Sequence, residues 1–113
     1  MPLLYHVSSH PTLVGIQVGD TFILEPGPQH AEGPGVYFSE AFPRLTAAEG
    51  ANRRGRTGVV QIRADSAQGW WRTKNAAVRR FKRPRTWHTD GKSLRLEVIG
   101  CDGDLISALW EWL

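Results

Sequence analysis

Apolar residues in this chain fall in short alternating or continuous stretches bounded by Gly and Pro, and no window carries an apolar repeat long enough for an extended helix. A core has to be assembled mainly from strands. Leu3 to Val7 reads as a first strand and Thr21 to Leu24 as a short second one, ended by the turn residues Glu25, Pro26, Gly27 and Pro28. Val36 to Ser39 is the third, and the β-branched run Val59 to Arg63 follows. LRLEVI, from Leu94 to Ile99, alternates apolar and polar residues before CDGD forms a turn, and the closing ISALWEWL fits a strand or a short helix.

Helix enters this pattern in two places only. Phe42 to Asn52 carries Leu45, Ala47, Ala48 and Ala51, with Pro43 tolerated in a first turn and Gly50 weakening the end. Ala76 to Phe81 is the second, a helical turn within a stretch from Ala64 to Lys92 that reads as one long loop. The expected class is α+β, dominated by a mostly antiparallel sheet, with residues 1–113 as one domain.

Charge is unevenly spread. The net charge is only +3, yet Arg53, Arg54 and Arg56 form one basic group, and Arg72, Lys74, Arg79, Arg80, Lys82, Arg83 and Arg85 form another. Carboxylates are sparse between Asp65 and Asp90, so the second group sets up a positive field suited to phosphates, or else a solvated basic face. No apolar run approaches the roughly 20 residues of a membrane helix. MPLLYHVSS lacks the basic start and long apolar stretch of a secretory signal, which points to a cytoplasmic protein. Cys101, the single cysteine, allows no intrachain disulfide and reads as a small buried residue.

Two segments carry most of the functional signal: LYHVSS, Leu4 to Ser9, and GVYFSE, Gly35 to Glu40, each placing a polar aromatic residue inside an apolar strand pattern. They resemble the opening strands of the ADP-ribosyltransferase fold, in which a His on the first strand and a Tyr on a later one enclose the nicotinamide end of NAD. VGDTFILEPG, Val18 to Gly27, is similar to the stretch that follows the His in the compact rifampin-modifying ADP-ribosyltransferases, and the strand GVVQIR comes in the order that family uses. The resemblance spans roughly two thirds of the chain on short motifs. It implies a small split sheet of the ADP-ribosyltransferase type with one or two short helices, NAD as co-substrate, and a cleft between the two halves of the sheet.

Carried onto this chain residue by residue, the resemblance assigns His6 to the ribose hydroxyls and Tyr37 to a stack on the nicotinamide plane. The Val7 backbone, with Ser8 beside it, would pair with the carboxamide, and Ser39 would hold the same end. These types suit the chemistry. Breaking the nicotinamide–ribose bond leaves an oxocarbenium-like centre, so a neutral imidazole that bonds hydroxyls without a fixed positive charge is favourable, as is a flat ring that holds the leaving group. A carboxylate is also needed to grip the ribose and offset the developing charge. Here the chain departs from the pattern, because no acid stands near Trp70 and Trp71 where the rifampin-modifying enzymes place theirs. By the layout of the poly-ADP-ribose polymerase branch, Asp90 ahead of SLRLEVIG is the nearest match, with Asp65 and Glu97 in reserve.

Each of these residues also has an ordinary structural reading. His6 fits a hydrogen-bonded core histidine, Tyr37 a half-buried strand aromatic, Ser39 a strand-end hydroxyl that satisfies backbone, and Asp90 with Gly91 a turn pair. Trp70, Trp71 and Trp87 suit a small core more than a ligand stack, and Trp110 with Trp112 fits either the core or a patch for a partner. The four histidines show no tight metal-ligand spacing, so no metal is expected. Ser8, Ser9 and His10 alternate direction along a strand and make no nucleophile elbow.

The expected activity is NAD-dependent mono-ADP-ribosyl transfer to an undetermined acceptor, whether protein, nucleic acid or small molecule. Two alternatives stand beside it. An RNA 2′-phosphotransferase-like enzyme would use the basic loop for RNA, and a non-enzymatic nucleic-acid binder would use the arginine groups for phosphates and Trp rings for bases.

Overall fold

The computed structural model describes residues 3–8, 11–27, 33–43, 58–64, 68–73 and 86–113. Eight strands run through them: β1 (Leu3–Ser8), β2 (Thr21–Leu24), β3 (Tyr37–Ser39), β4 (Gly58–Arg63), β5 (Trp71–Arg72), β6 (Thr86–His88), β7 (Leu94–Asp102) and β8 (Leu105–Trp112). They join one sheet in the order β2-β7-β8-β4-β1-β3-β6-β5. All neighbours are antiparallel except β4 and β8, which run parallel.

This architecture corrects the expected α+β class. A single continuous mixed sheet replaces the split sheet with one or two helices, and among the described residues the only helical piece is the 3-10 turn Pro11–Leu13. The physical reason lies in the pattern of burial. The described core is built from residues that alternate with period two, which a strand presents on one face and a helix would scatter around its circumference. At the start of the expected helix, Phe42 and Pro43 are not helical. Phe42 instead meets Tyr5 edge to face, centroids 5.2 Å apart. The rest of that helix and the helical turn from Ala76 to Phe81 lie outside the described residues. No helix of the described residues is long and apolar enough to cross a membrane.

The alternation is clearest in β7, where Leu94, Leu96 and Val98 are buried and Arg95, Glu97 and Ile99 are exposed. Register carries the same face across the sheet. Leu4 lies opposite Ile62, Ile62 opposite Ala108, and Ala108 opposite Val98, so one buried row crosses four strands. Each of its larger side chains contributes about 1.5–3 kcal/mol by leaving water. The other face is exposed at Leu3, Val7, Ile23 and Leu109. An extra residue, Ile99, bulges from β7 between the Val98 and Gly100 pairings. The β7–β8 hairpin turns on Gly103 and Asp104, with Gly103 at φ 59°, as CDGD predicts.

The sheet curls back over its buried face. Trp70, just before the edge strand β5, packs against Phe38 of β3 and against Trp110 and Trp112 of β8, with ring centroids 5.2–5.4 Å apart. The outer edge therefore meets strands from the middle of the order. Trp110 and Trp112 are packed on the core, and the Trp110 indole N–H donates to the Arg63 carbonyl at 2.7 Å. Gly69, at φ 82°, makes this approach possible, because a Cβ there would sit 2.8 Å from the Trp112 ring.

Candidate functional site

β1 sits between β4 and β3 but treats its neighbours unequally. It pairs with β4 along its whole length and with β3 at one position, Tyr5 with Ser39. Backbone alternation shows which way each peptide faces. The Val59 N–H donates to the Asp104 carbonyl on the β8 side. Val59 thus turns its polar groups away from β1, and its partner Val7 turns its own toward β3.

The ladder does not continue to Val7 and Tyr37; at that level the His6 side chain spans the strands. Its Nδ1 lies 2.7 Å from the Tyr37 carbonyl oxygen. A carbonyl only accepts, so Nδ1 carries the proton. The two strands part here, with the Val7 peptide on one side and Tyr37 on the other.

The register also fixes the faces. Tyr5, Ser39 and Tyr37 share one face of the sheet, and His6 shares the other with Phe38, its ring 5.2 Å from the Phe38 ring. His6 and Tyr37 therefore flank the parting from opposite faces rather than meeting ring to ring. Tyr37 lies opposite His88 on β6 and stacks on it, centroids 4.9 Å apart and planes 22° from parallel. Its hydroxyl donates to the Gly33 carbonyl at 2.7 Å. One residue earlier, the Val36 N–H donates to the buried Thr89 Oγ1 at 3.0 Å.

The chain matches no protein-family model, no curated protein and no solved structure.

The remaining candidates divide. Ser39 Oγ accepts the Ala41 N–H at 3.1 Å, closing the end of β3, as its ordinary reading anticipates. Ser8 is buried on the core face, opposite Gly58. Asp90 occupies a turn from Thr89 to Lys92, closed by the Lys92 N–H on the Thr89 carbonyl at 3.1 Å, with Asp90 at φ 49° and Gly91 at φ 80°. Its backbone N–H donates to His88 Nδ1 at 3.1 Å, and its side chain is exposed. Glu97 is not brought to the parting, since β7 lies three strands from β1, on the order of 14 Å away at the usual strand spacing. Asp65 lies outside the described residues.

The basic groups Arg53 to Arg56 and Lys74 to Arg85 also lie outside them. Arg72 is described, with its guanidinium 5.8 Å from the centre of the Trp87 ring. The tryptophans serve different ends. Trp70 is buried, the Trp87 indole N–H donates to Glu40 Oε1 at 3.0 Å, and Trp71 stays 52% exposed. Cys101 departs from its expected burial: it is exposed at the end of β7, its Sγ 3.8 Å from the Ile16 carbonyl. Among the described residues no group of three or more His, Cys, Asp or Glu is placed to hold a metal ion.

Sequence reasoning passed over Thr89, and weighed His88 only as lining for an acceptor site beside Trp87 and Arg85. Their only signal was the β-prone run TWHT inside what reads as one long loop.

Proposed function

We propose that the parting between β1 and β3 receives the nicotinamide end of NAD and that the protein is an NAD-dependent mono-ADP-ribosyltransferase. The observation that carries this reading is the Val7 peptide, turned toward β3 at the level where pairing stops, between His6 and Tyr37. A peptide edge offers one donor and one acceptor, the complement of a carboxamide. Tyr37, stacked on His88, is the aromatic ring this reading assigns to the pyridine. His6 is the candidate for a ribose hydroxyl.

In the reaction, the bond between nicotinamide nitrogen and ribose C1′ breaks, its electron pair leaving with nicotinamide. A nucleophile on the acceptor then bonds to C1′ and gives up its proton. Asp90 is the carboxylate this reading assigns to charge stabilisation and to that proton. A cytoplasmic setting would supply the NAD. The acceptor class is a protein, a nucleic acid or a small molecule. An RNA 2′-phosphotransferase-like activity would use the same NAD site.

One observation favours a competing reading. Trp71 is 52% exposed on an edge strand, which suits a base-stacking surface without enzymatic activity.

The test is release of free nicotinamide from NAD by the wild-type protein, by His6→Ala and by Asp90→Ala. Release by wild type that His6→Ala abolishes supports the transferase, and a loss in Asp90→Ala supports that assignment. No release with RNA, DNA or protein extract as acceptor, together with steeply salt-dependent nucleic-acid binding, overturns it in favour of the binder.

A further inference from the structure

His88 is 1% exposed, and its ring makes two separate contacts that bear on the parting. One ring face covers Tyr37, and the edge at Nδ1 accepts the Asp90 N–H. Because that partner is a donor, Nδ1 holds the lone pair, opposite to the arrangement in His6. Gly35 packs directly on the same ring, since a Cβ there would come within 3.3 Å of Nδ1. Thr89, the next residue, holds the Val36 N–H. β6 and Thr89 thus hold the segment just before Tyr37, one face of its ring and the turn that carries Asp90.

We propose that His88 is a positioning residue: its ring sets the plane of Tyr37, and its Nδ1 sets the turn that presents Asp90. This inference rests on the NAD reading above and adds a division of labour to it. A ring held flat before ligand arrives loses little freedom on binding, so the stack on Tyr37 governs affinity for NAD. A turn held by a hydrogen bond fixes where the Asp90 carboxylate points, so the Nδ1 contact governs the chemical step.

Two substitutions separate the contacts. His88→Asn keeps an amide oxygen near the place of Nδ1 and loses the flat ring. His88→Phe keeps the ring and loses the acceptor. The probe is NAD itself, with binding followed by calorimetric titration, nicotinamide release giving kcat and KM, and near-UV circular dichroism confirming the fold.

His88→Asn is expected to weaken NAD binding roughly three- to tenfold, the equivalent of a lost aromatic stack, with kcat changed by less than about twofold. His88→Phe is expected to bind NAD within about twofold of wild type while kcat falls about fivefold, the equivalent of one lost hydrogen bond. Folded variants that change alike, or that both match wild type, overturn the inference. If one variant does not fold, the other still reads its own contact.

The two ideas fail differently. Wild type that turns over NAD with no split between the variants sinks the role of His88 alone. Wild type that neither binds NAD nor releases nicotinamide sinks the transferase reading and the role of His88 with it. Binding without release leaves the affinity comparison to decide.

Discussion

The imidazole of His6 donates from Nδ1 to the Tyr37 carbonyl at 2.7 Å, so a side chain on β1 bonds the β3 backbone at the level where pairing stops. That bond links the two strands beyond Tyr5 and Ser39.

His6→Phe should keep the ring contact with Phe38 and leave the Tyr37 carbonyl without this donor. The expected cost is about 1 kcal/mol, seen as a lower urea midpoint with an unchanged slope. A midpoint equal to wild type would mean that water replaces the imidazole without loss.

Gly35→Ala should press on His88, because the added methyl meets the ring edge at 3.3 Å. Crowding of this kind costs typically 1–3 kcal/mol, and the His88 and Tyr37 ring signals in proton NMR should shift together. Unmoved ring signals would contradict the packing.

Gly69 and Gly103 both adopt positive φ, 82° and 59°, but only Gly69 lies against another group. Gly103→Ala should cost about 1–2 kcal/mol from backbone strain alone. Gly69→Ala adds the collision with Trp112 and should cost about 1–3 kcal/mol more, with a change in tryptophan fluorescence that Gly103→Ala lacks. Equal losses in denaturant titrations would show that the Trp112 contact yields freely.

Ile62 and Ile99 provide a second contrast. Ile62→Ala should cost about 2–5 kcal/mol because it opens the row from Leu4 to Val98. Ile99→Ala, at the exposed bulge, should stay within about 0.5 kcal/mol of wild type. Thermal unfolding of the two variants side by side would check both.

Arg95 and Glu111 face each other across β7 and β8 at 3.1 Å, both more than half exposed. A double-mutant cycle to Ala should give a coupling under about 1 kcal/mol that shrinks as salt rises. A larger, salt-insensitive coupling would be inconsistent with a solvated pair.

Much of the sheet was legible in the sequence because local patterns suffice for long strands. LRLEVI states its two faces outright, and GVVQIR and TFIL are β-prone runs bounded by turn residues. ISALWEWL was ambiguous between strand and helix, and its partners decided it: pairing with β7 on one side and β4 on the other makes it a strand. Two short strands, Trp71–Arg72 and Thr86–His88, were not legible at all. Unlike β3, where Val36 and Phe38 sit in a β-prone run after Gly35, these two lie in a stretch without an apolar run, and they form by building outward from the edge of β3.

The site was legible in composition and not in geometry. His6 and Tyr37 were drawn from strand motifs, and the structure brings their strands side by side, yet the single register position at Tyr5 and Ser39 sends their rings to opposite faces. Sequence spacing cannot reveal this, because register between distant strands is a tertiary property. The bulge at Ile99 sets Cys101 opposite the buried Ile106, so its exposure comes from its place near the end of β7 and not from the alternation.

The parallel seam between β4 and β8 bears on how the protein comes to be made. On a ribosome, β1 and β4 emerge early and can zip together, but the place beside β4 waits for the last of the eight strands. Until it arrives, the nascent sheet exposes an unpaired apolar edge at Val59 to Ile62, the kind of surface that chaperones hold and that aggregates when they do not. Loop closure over that distance sets the pace of folding, so assembly is expected to be slow for a chain of this length.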